Sequence, residues 1–310
     1  MNEQFLAALQ AENLPVSLDE SLGRHTTFRI GGNADFFCVP ATVTQLTRIL
    51  ELCRQYQVRT YLLGNGSNTL FSDAGFGGAV ICLTGLNSRF SMQAQPDGST
   101  KVLAPAGMML SALCNTAQKE SLAGLEFAFG IPGTVGGAVA MNAGSFGTST
   151  AESLDSVEIW SGGRLVRLTP DACETGYRHF RPRGLAGSFL VVSAVFRLSR
   201  STSQDVAAGM QHNFQMKKSR QPITARSAGC VFRNPACGVS AGALLERAGF
   251  RGRRKGSVAL SEQHANFLVN LGGGTSAEAL ALLEEARTAV RAMAGVELDF
   301  EVRFLPCLSS

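Results

Sequence analysis

Gly130-Ile131-Pro132-Gly133-Thr134-Val135-Gly136-Gly137-Ala138-Val139-Ala140-Met141-Asn142-Ala143-Gly144 holds five glycines in fifteen residues and no charged side chain. Glycine loses more backbone freedom on folding than any other residue. Such density therefore needs a local reason, either positive φ values or the close approach of a flat ligand. No Gly-Lys-Ser/Thr follows, so this is not a Walker A loop. A glycine-packed turn without a ligand is the competing explanation. A second small-residue stretch, Gly64-Asn65-Gly66-Ser67-Asn68-Thr69, follows the β-branched and aromatic run Val58-Arg59-Thr60-Tyr61-Leu62-Leu63. It begins like G-x-G-x-x-G, but Thr69 stands where the last glycine belongs, so the Rossmann fingerprint fails. Taken alone it could be a tight turn, yet its exposed N–H groups and polar side chains could also nest a pyrophosphate. Together the two stretches point to a large phosphate-bearing cofactor.

The rest of the chain narrows the class. Its 310 residues suggest two domains. Glycine accounts for 34 of them, above the usual share of about 7%. No apolar run approaches the roughly 18 residues of a membrane-spanning helix, and Met1-Asn2-Glu3-Gln4-Phe5 does not read as a secretory signal. Collagen, coiled coil, disordered tail and membrane protein are excluded. The cysteines, at 38, 53, 82, 114, 173, 230, 237 and 307, form no C-x-x-C pair and no zinc spacing. Reduced thiols in a cytoplasm and no metal are expected.

Residues 217–255 carry ten basic residues against Glu246 alone, a net +9 that leaves the remaining chain at −5. That asymmetry implies an anionic partner. Nucleic acid is disfavoured, because only Phe214, Phe232 and Phe250 interleave and no recognition motif appears.

Apolar spacing predicts helices over 42–57, 109–120 and 203–216, and a capping box at Thr275–Glu278 opens another. That last helix would present Ala279, Leu282, Leu283, Ala286, Val290 and Met293. Strands are predicted over 58–63, 79–83, 101–104, 154–160, 189–198 and 296–305. The class is α+β. A first domain over 1–210, with two subdomains split near 84, would precede a smaller α+β domain over 211–310.

In order along the chain, several motifs resemble the UDP-N-acetylenolpyruvoylglucosamine reductase family. They are Thr27-Phe28-Arg29-Ile30-Gly31-Gly32, the two glycine stretches, Gly176-Tyr177-Arg178, Ser227–Pro235, Ser261–Phe267 and Glu301-Val302-Arg303-Phe304. The resemblance implies an FAD-binding domain of the p-cresol methylhydroxylase/vanillyl-alcohol oxidase type followed by a substrate domain. FAD would be noncovalent, with NADPH as hydride donor and a UDP-linked enolpyruvyl amino sugar as substrate. A cytoplasmic monomer of the compact subgroup, with no nucleic-acid or membrane partner, is expected.

The same resemblance implies the site. Gly64, Asn65, Gly66, Ser67, Asn68, Thr69, Pro132, Gly133, Thr134, Gly137, Asn142, Ala143, Gly144 and Val191 would hold the cofactor. Tyr177, Lys217, Lys218, Asn234 and His264 would meet the substrate; for His264 and Asn266 a structural role competes, and the two lysines are not separable. Arg178 would polarise the substrate carboxylate, as a guanidinium can bind two oxygens at once. Without the resemblance, Arg181 and Arg183 would compete with it. Cys230 stands where many relatives carry a proton-donating serine. Glu301 would assist at the enolate, as a protonated group or by orienting a neighbour; Asp299 shares its side of a strand. Arg251–Lys255 is expected to be solvated surface. The rivals are a flavin-dependent alcohol oxidase of the same superfamily and a non-catalytic nucleotide-binding protein.

Overall fold

Thr42 illustrates how the sequence starts its elements. Its hydroxyl accepts the Gln45 N–H at 3.1 Å, and the helix that follows buries Leu46, Ile49, Leu52 and Cys53 along one face. In the computed structural model, which describes residues 2–86, 89–185 and 187–306, the chain divides into two units. The first comprises Met1–Ser17, Phe37–Asn65 and Ala79–Met216; the second comprises Leu18–Phe36, Gly66–Gly78 and Lys217–Ser310. The chain passes from the first unit to the second at Met216–Lys217, and two early segments belong to the second unit. The helices are α1 (Glu3–Ala11), α2 (Val43–Gln55), α3 (Leu110–Lys119), α4 (Val135–Ala140), α5 (Ser203–Arg220), α6 (Ala241–Arg247) and α7 (Ser276–Ala294).

The first unit is organised by an antiparallel sheet with strands in the order Arg164–Leu168, Leu154–Ser161, Leu190–Arg200, Thr100–Pro105 and Ser91–Ala94. Strand alternation sends Val157, Ile159, Ala194, Phe196, Val102 and Ala104 into a core shared with Leu110, Leu113 and Cys114 of α3 and Val135, Ala138 and Val139 of α4. Each large side chain buried this way stabilises the fold by about 1.5–3 kcal/mol. A second, parallel pairing joins Thr60–Leu63 to Ala79–Cys82, at the level of the Gly64 loop.

In the second unit the strands Ser227–Cys230, Phe267–Asn270, Val258–Leu260 and Arg254–Lys255 form an antiparallel sheet in that order. Against it pack Leu244 and Leu245 of α6 and Ala279, Leu282, Leu283, Ala286 and Val290 of α7. Met293, expected on the same face, is 46% exposed, because the helix stops at left-handed Gly295. The expected terminal strand contracts to Arg303–Leu305, which pairs in parallel with Thr69–Phe71. Upstream, the backbone bonds irregularly to another segment: Arg233 N–H donates to Asp299 O and Glu301 N–H to Val231 O, both at 2.8 Å. Phe300 stacks on Phe232 at 5.1 Å and bridges it, which holds this stretch without a continuous ladder.

The capping box at α7 forms as read, with Thr275 and Glu278 each accepting the other's N–H at 3.1 Å. Asp73 adds a cap that the sequence did not reveal. Its carboxylate accepts from Ser276 N and Oγ, both at 2.8 Å, and from Ala277 N at 3.1 Å. These bonds fasten the Gly66–Gly78 segment to α7. Asp73→Ala should therefore destabilise the protein by about 2 kcal/mol, since hydrogen bonds to a charged group are worth about 1.5–3 kcal/mol. Urea unfolding followed by circular dichroism measures this; an unchanged midpoint would show that the cap does not anchor the segment.

Candidate functional site

In the first unit, two glycines that look alike in sequence differ in what surrounds them. Thr134 is buried and caps α4, its Oγ1 accepting the Gly137 N–H at 3.3 Å. A Cβ on Gly64 would lie 2.7 Å from that same oxygen, so glycine there lets the strand end close onto the helix start. Gly136 is equally constrained, with its Cβ position 2.7 Å from Ala106 Cβ. Gly137 is exposed, and a Cβ on it would meet only Thr134 Oγ1, at 3.4 Å. Glycine inside a helix costs about 0.5–1 kcal/mol relative to alanine, and no protein neighbour demands it at this position. The space in front of Gly137 is a cradle that a Cβ would fill. Together with Pro132, Gly133 at φ +148° and the end of the Gly64 strand, it fits a flat phosphate-bearing cofactor such as FAD.

The other expected cofactor residues of this unit have structural duties. A Cβ on Gly144 would sit 2.5 Å from Thr148 O, and Ala143 O accepts the Thr150 N–H at 2.9 Å, so both serve a local hairpin. The Val191 side chain is buried in the core, with Ile159 as its cross-strand partner. Asn142 is 6% exposed; its Nδ2 donates to Gly176 O at 2.9 Å and its Oδ1 accepts the Ala151 N–H at 3.0 Å.

Gly176 ends one strand of a hairpin, Cys173–Gly176 with His179–Pro182, whose two-residue turn is Tyr177-Arg178. Arg178 holds φ +53°, and its guanidinium lies 5.0 Å from the centre of the Tyr177 ring. Tyr177 is 56% exposed. Arg183 is tied down at the hairpin base through Cys173 O at 3.2 Å, whereas Arg178 sits at the tip.

The Gly64–Thr69 loop passes into the second unit at Gly66. Gly66 holds φ +62° and its Cβ position runs into the His25 carbonyl, so only glycine fits. Thr27 braces it: its N–H donates to Gly66 O at 3.2 Å and its hydroxyl to Ser227 O at 2.6 Å. This gives the Thr27–Gly32 motif a structural purpose, with Phe28 and Ile30 buried in the second core. Asn68 Nδ2 donates to Glu301 O at 3.1 Å, and Arg303 N–H donates to Asn68 O at 3.0 Å. Ser67 O lies 4.0 Å from the Cβ position of Gly229, the residue before Cys230.

Cys230 and Glu301 lie on paired stretches of backbone: the Glu301 N–H donates to the carbonyl of Val231, the residue after Cys230. Both are half-buried, while Asp299 is exposed, a distinction that strand periodicity could not make. The lysines also separate: both lie in the last turn of α5, Lys217 buried at 5% exposure and Lys218 in solvent. The Asn234 side-chain Oδ1 accepts the Ala241 N–H at 3.0 Å, at the start of α6.

His264 is structural in its contacts: Nδ1 accepts from Asn266 N at 3.2 Å and the ring meets Phe267 edge-on at 5.0 Å. Burial first, and then the positive charge of Arg251, hold its pKa below the usual histidine value. Asn266 braces the backbone of Phe232 from both sides, at 3.0 and 2.8 Å. In the basic 251–255 stretch, Arg251 pairs with Glu246 at 2.7 Å and Lys255 pairs with Glu285.

Burial pushes the Cys38 thiol up to about 12, with Cys53 beside it adding to the effect, and raises Cys53 and Cys173 as well. Cys237 is exposed, and Cys307 lies outside the described residues. A cavity of about 540 Å³ opens on the outer face of the first unit's sheet, lined by Lys101, Ser156, Glu158, Arg167 and Ser193 among others. None of the expected site residues lines it. Among the described residues, no helix is long and apolar enough to cross a membrane.

Comparison with known proteins agrees with the division of labour. A family model described as an FAD binding domain matches residues 34–169. Another, the C-terminal domain of UDP-N-acetylenolpyruvoylglucosamine reductase, matches residues 221–305. UDP-N-acetylenolpyruvoylglucosamine reductase 2 of Symbiobacterium thermophilum is 39% identical over 92% of this chain and 90% of its own length. The reductase of that name from Geobacter metallireducens is 35% identical over 98% and 99%. The crystal structure of UDP-N-acetylenolpyruvylglucosamine reductase from Thermus caldophilus superposes with a TM-score of 0.78 at 30% identity, covering 94% of this chain and 99% of that one.

Gly137→Val tests the cradle. Its Cβ meets only Thr134 Oγ1, at an ordinary contact distance of 3.4 Å, so the variant should fold with a wild-type circular dichroism spectrum, yet purify without the yellow absorbance of bound flavin. Full flavin occupancy in a folded Gly137→Val protein would place the cofactor elsewhere.

Proposed function

The chain belongs to the UDP-N-acetylenolpyruvoylglucosamine reductase family, FAD-binding oxidoreductases of peptidoglycan precursor synthesis, and from that premise we propose how its own residues carry the reaction. The substrate is the enolpyruvyl ether of UDP-N-acetylglucosamine, the reductant NADPH, and the product UDP-N-acetylmuramate, made by a cytoplasmic monomer. FAD, bound noncovalently, would be held by the Gly64 and Pro132–Gly137 region and would supply the hydride chemistry that links NADPH to C3 of the enolpyruvyl group.

Hydride arrival at C3 leaves negative charge on C2 and the adjoining carboxylate. Arg178, permanently charged and able to bind two oxygens, stabilises that charge. Cys230 then delivers its thiol proton to C2. The Glu301 carboxyl assists beside the developing charge, either as a protonated donor or by orienting the thiol. The observation that carries this reading is the bond from Glu301 N–H to Val231 O, reinforced by Asn68 to Glu301 O. Through them a thiol and a carboxyl neighbour the loop expected to hold the cofactor. Lys217 is the lysine assigned to the substrate diphosphate: the protein holds its side chain in place at 5% exposure at the end of α5, whereas Lys218 stands in solvent.

Two outcomes test these roles. Cys230→Ala should leave reduction of the holoenzyme by NADPH intact but slow its reoxidation by the enolpyruvyl substrate about 10²–10⁴-fold, the worth of general acid catalysis. Cys230→Ser should recover much of that loss. Rapid-mixing absorbance measures both halves, and wild-type reoxidation in the alanine variant would remove Cys230 from the mechanism. The experiment is best run with Cys237 replaced by serine, so that alkylation of Cys230 gives an independent check. Separately, Lys217→Met should raise KM for the nucleotide substrate about ten- to hundredfold, with less effect on kcat, while Lys218→Met should change neither much. Equal effects at both positions would overturn the assignment.

A further inference from the structure

Asn142 sits at a position where glycine would be the easier choice. The helix α4 ends in a Schellman arrangement: Asn142 N–H donates to Val139 O at 2.9 Å and Ala143 N–H to Ala138 O at 2.8 Å. The residue that follows the cap is left-handed in such an ending, and Asn142 holds φ +40°. Asparagine tolerates this conformation less well than glycine, in a segment that uses glycine freely. Its side chain must therefore have a use, and the two bonds it makes identify that use. Oδ1 holds Ala151 N–H, and Nδ2 holds the carbonyl of Gly176 at the last strand pair before the Tyr177-Arg178 turn.

We propose that Asn142 is a positioning residue for Arg178, fixing the hairpin tip against the end of α4, and not a direct ligand of the cofactor. The inference rests on the role proposed for Arg178. Its physical content is that Arg178 sits in a strained left-handed turn at the end of a two-strand hairpin, a form of limited stability in isolation. The bond to Gly176 O is the anchor next to that turn. A catalytic group displaced by about 1 Å can lose about 10²-fold in rate, so releasing the anchor matters without any contact to the reacting atoms.

Asn142→Gly keeps the left-handed backbone and deletes both side-chain bonds; Asn142→Asp keeps the acceptor for Ala151 and deletes only the donor to Gly176. Both variants should retain bound flavin and its reduction by NADPH, and should reoxidise with the enolpyruvyl substrate about 10- to 100-fold more slowly, in kcat more than in KM. Trypsin cleavage after Arg178, followed by mass spectrometry, should be several-fold faster than in wild type, reporting the loosened hairpin without reference to activity. In an Arg178→Ala background, Asn142→Gly should slow reoxidation no further. Loss of flavin from both variants, wild-type reoxidation and cleavage rates, or full additivity with Arg178→Ala would each overturn the proposal. If Arg178→Ala alone reoxidises at the wild-type rate, the role of Arg178 fails and the positioning claim falls with it. A slow Arg178→Ala beside fully active Asn142 variants would defeat only the latter.

Discussion

The bond from Asn68 Nδ2 to the Glu301 carbonyl joins residues 233 positions apart, and the chemistry proposed for this protein depends on it. It is reinforced by Arg303 N–H on Asn68 O and by the parallel pairing of Thr69–Phe71 with Arg303–Leu305. Each such bond contributes only about 0.5–1.5 kcal/mol net, but the set fixes one register between an early loop and the last strand. Because Glu301 N–H also reaches Val231 O, the same register carries Cys230 to its place. Thr27 completes the arrangement by holding Gly66 O and Ser227 O at once. An early segment of the chain therefore belongs with the C-terminal unit for a chemical reason. It brings a small-residue loop to the thiol and the carboxyl.

Glycine density meant different things at different positions. Gly64, Gly66, Gly136 and Gly144 are required by the protein itself, since a Cβ on each would collide with a named neighbour. Those four would be glycine with or without a ligand. Gly137 has no such neighbour at closer than 3.4 Å, and its presence in α4 is what points outward to a cofactor. The competing explanation, a glycine-packed turn with no ligand, thus accounts for most of the segment but leaves that one residue unexplained.

Much of this was legible from spacing. The faces of α2 and α7, the capping box at Thr275 and the sheet strands follow from periodicity, because each depends on neighbours within a few residues. The family motifs proposed Arg178, Cys230 and Glu301 for the site, and the FAD binding domain match agrees with the fold they implied. What escaped was long-range. Asp73 capping α7, the early segments joining the second unit and the shortening of the terminal strand all turn on partners distant in sequence. The resemblance assigns Asn142 to the cofactor, and spacing gave no sign of the bond by which its amide holds Gly176, 34 residues away. Lys217 and Lys218 are adjacent letters on one helix turn, and burial alone tells them apart.

The central claim is that hydride and proton arrive at different carbons, the proton from a positioned thiol. The most direct measurement is the isotopic pattern of product made in D₂O with unlabelled NADPH, read by mass spectrometry and NMR. The account predicts deuterium at C2 in a single configuration, and deuterium at C3 only to the extent that the N–H of the reduced flavin exchanges with solvent before transfer. Absence of deuterium at C2, or a mixture of configurations there, would contradict it.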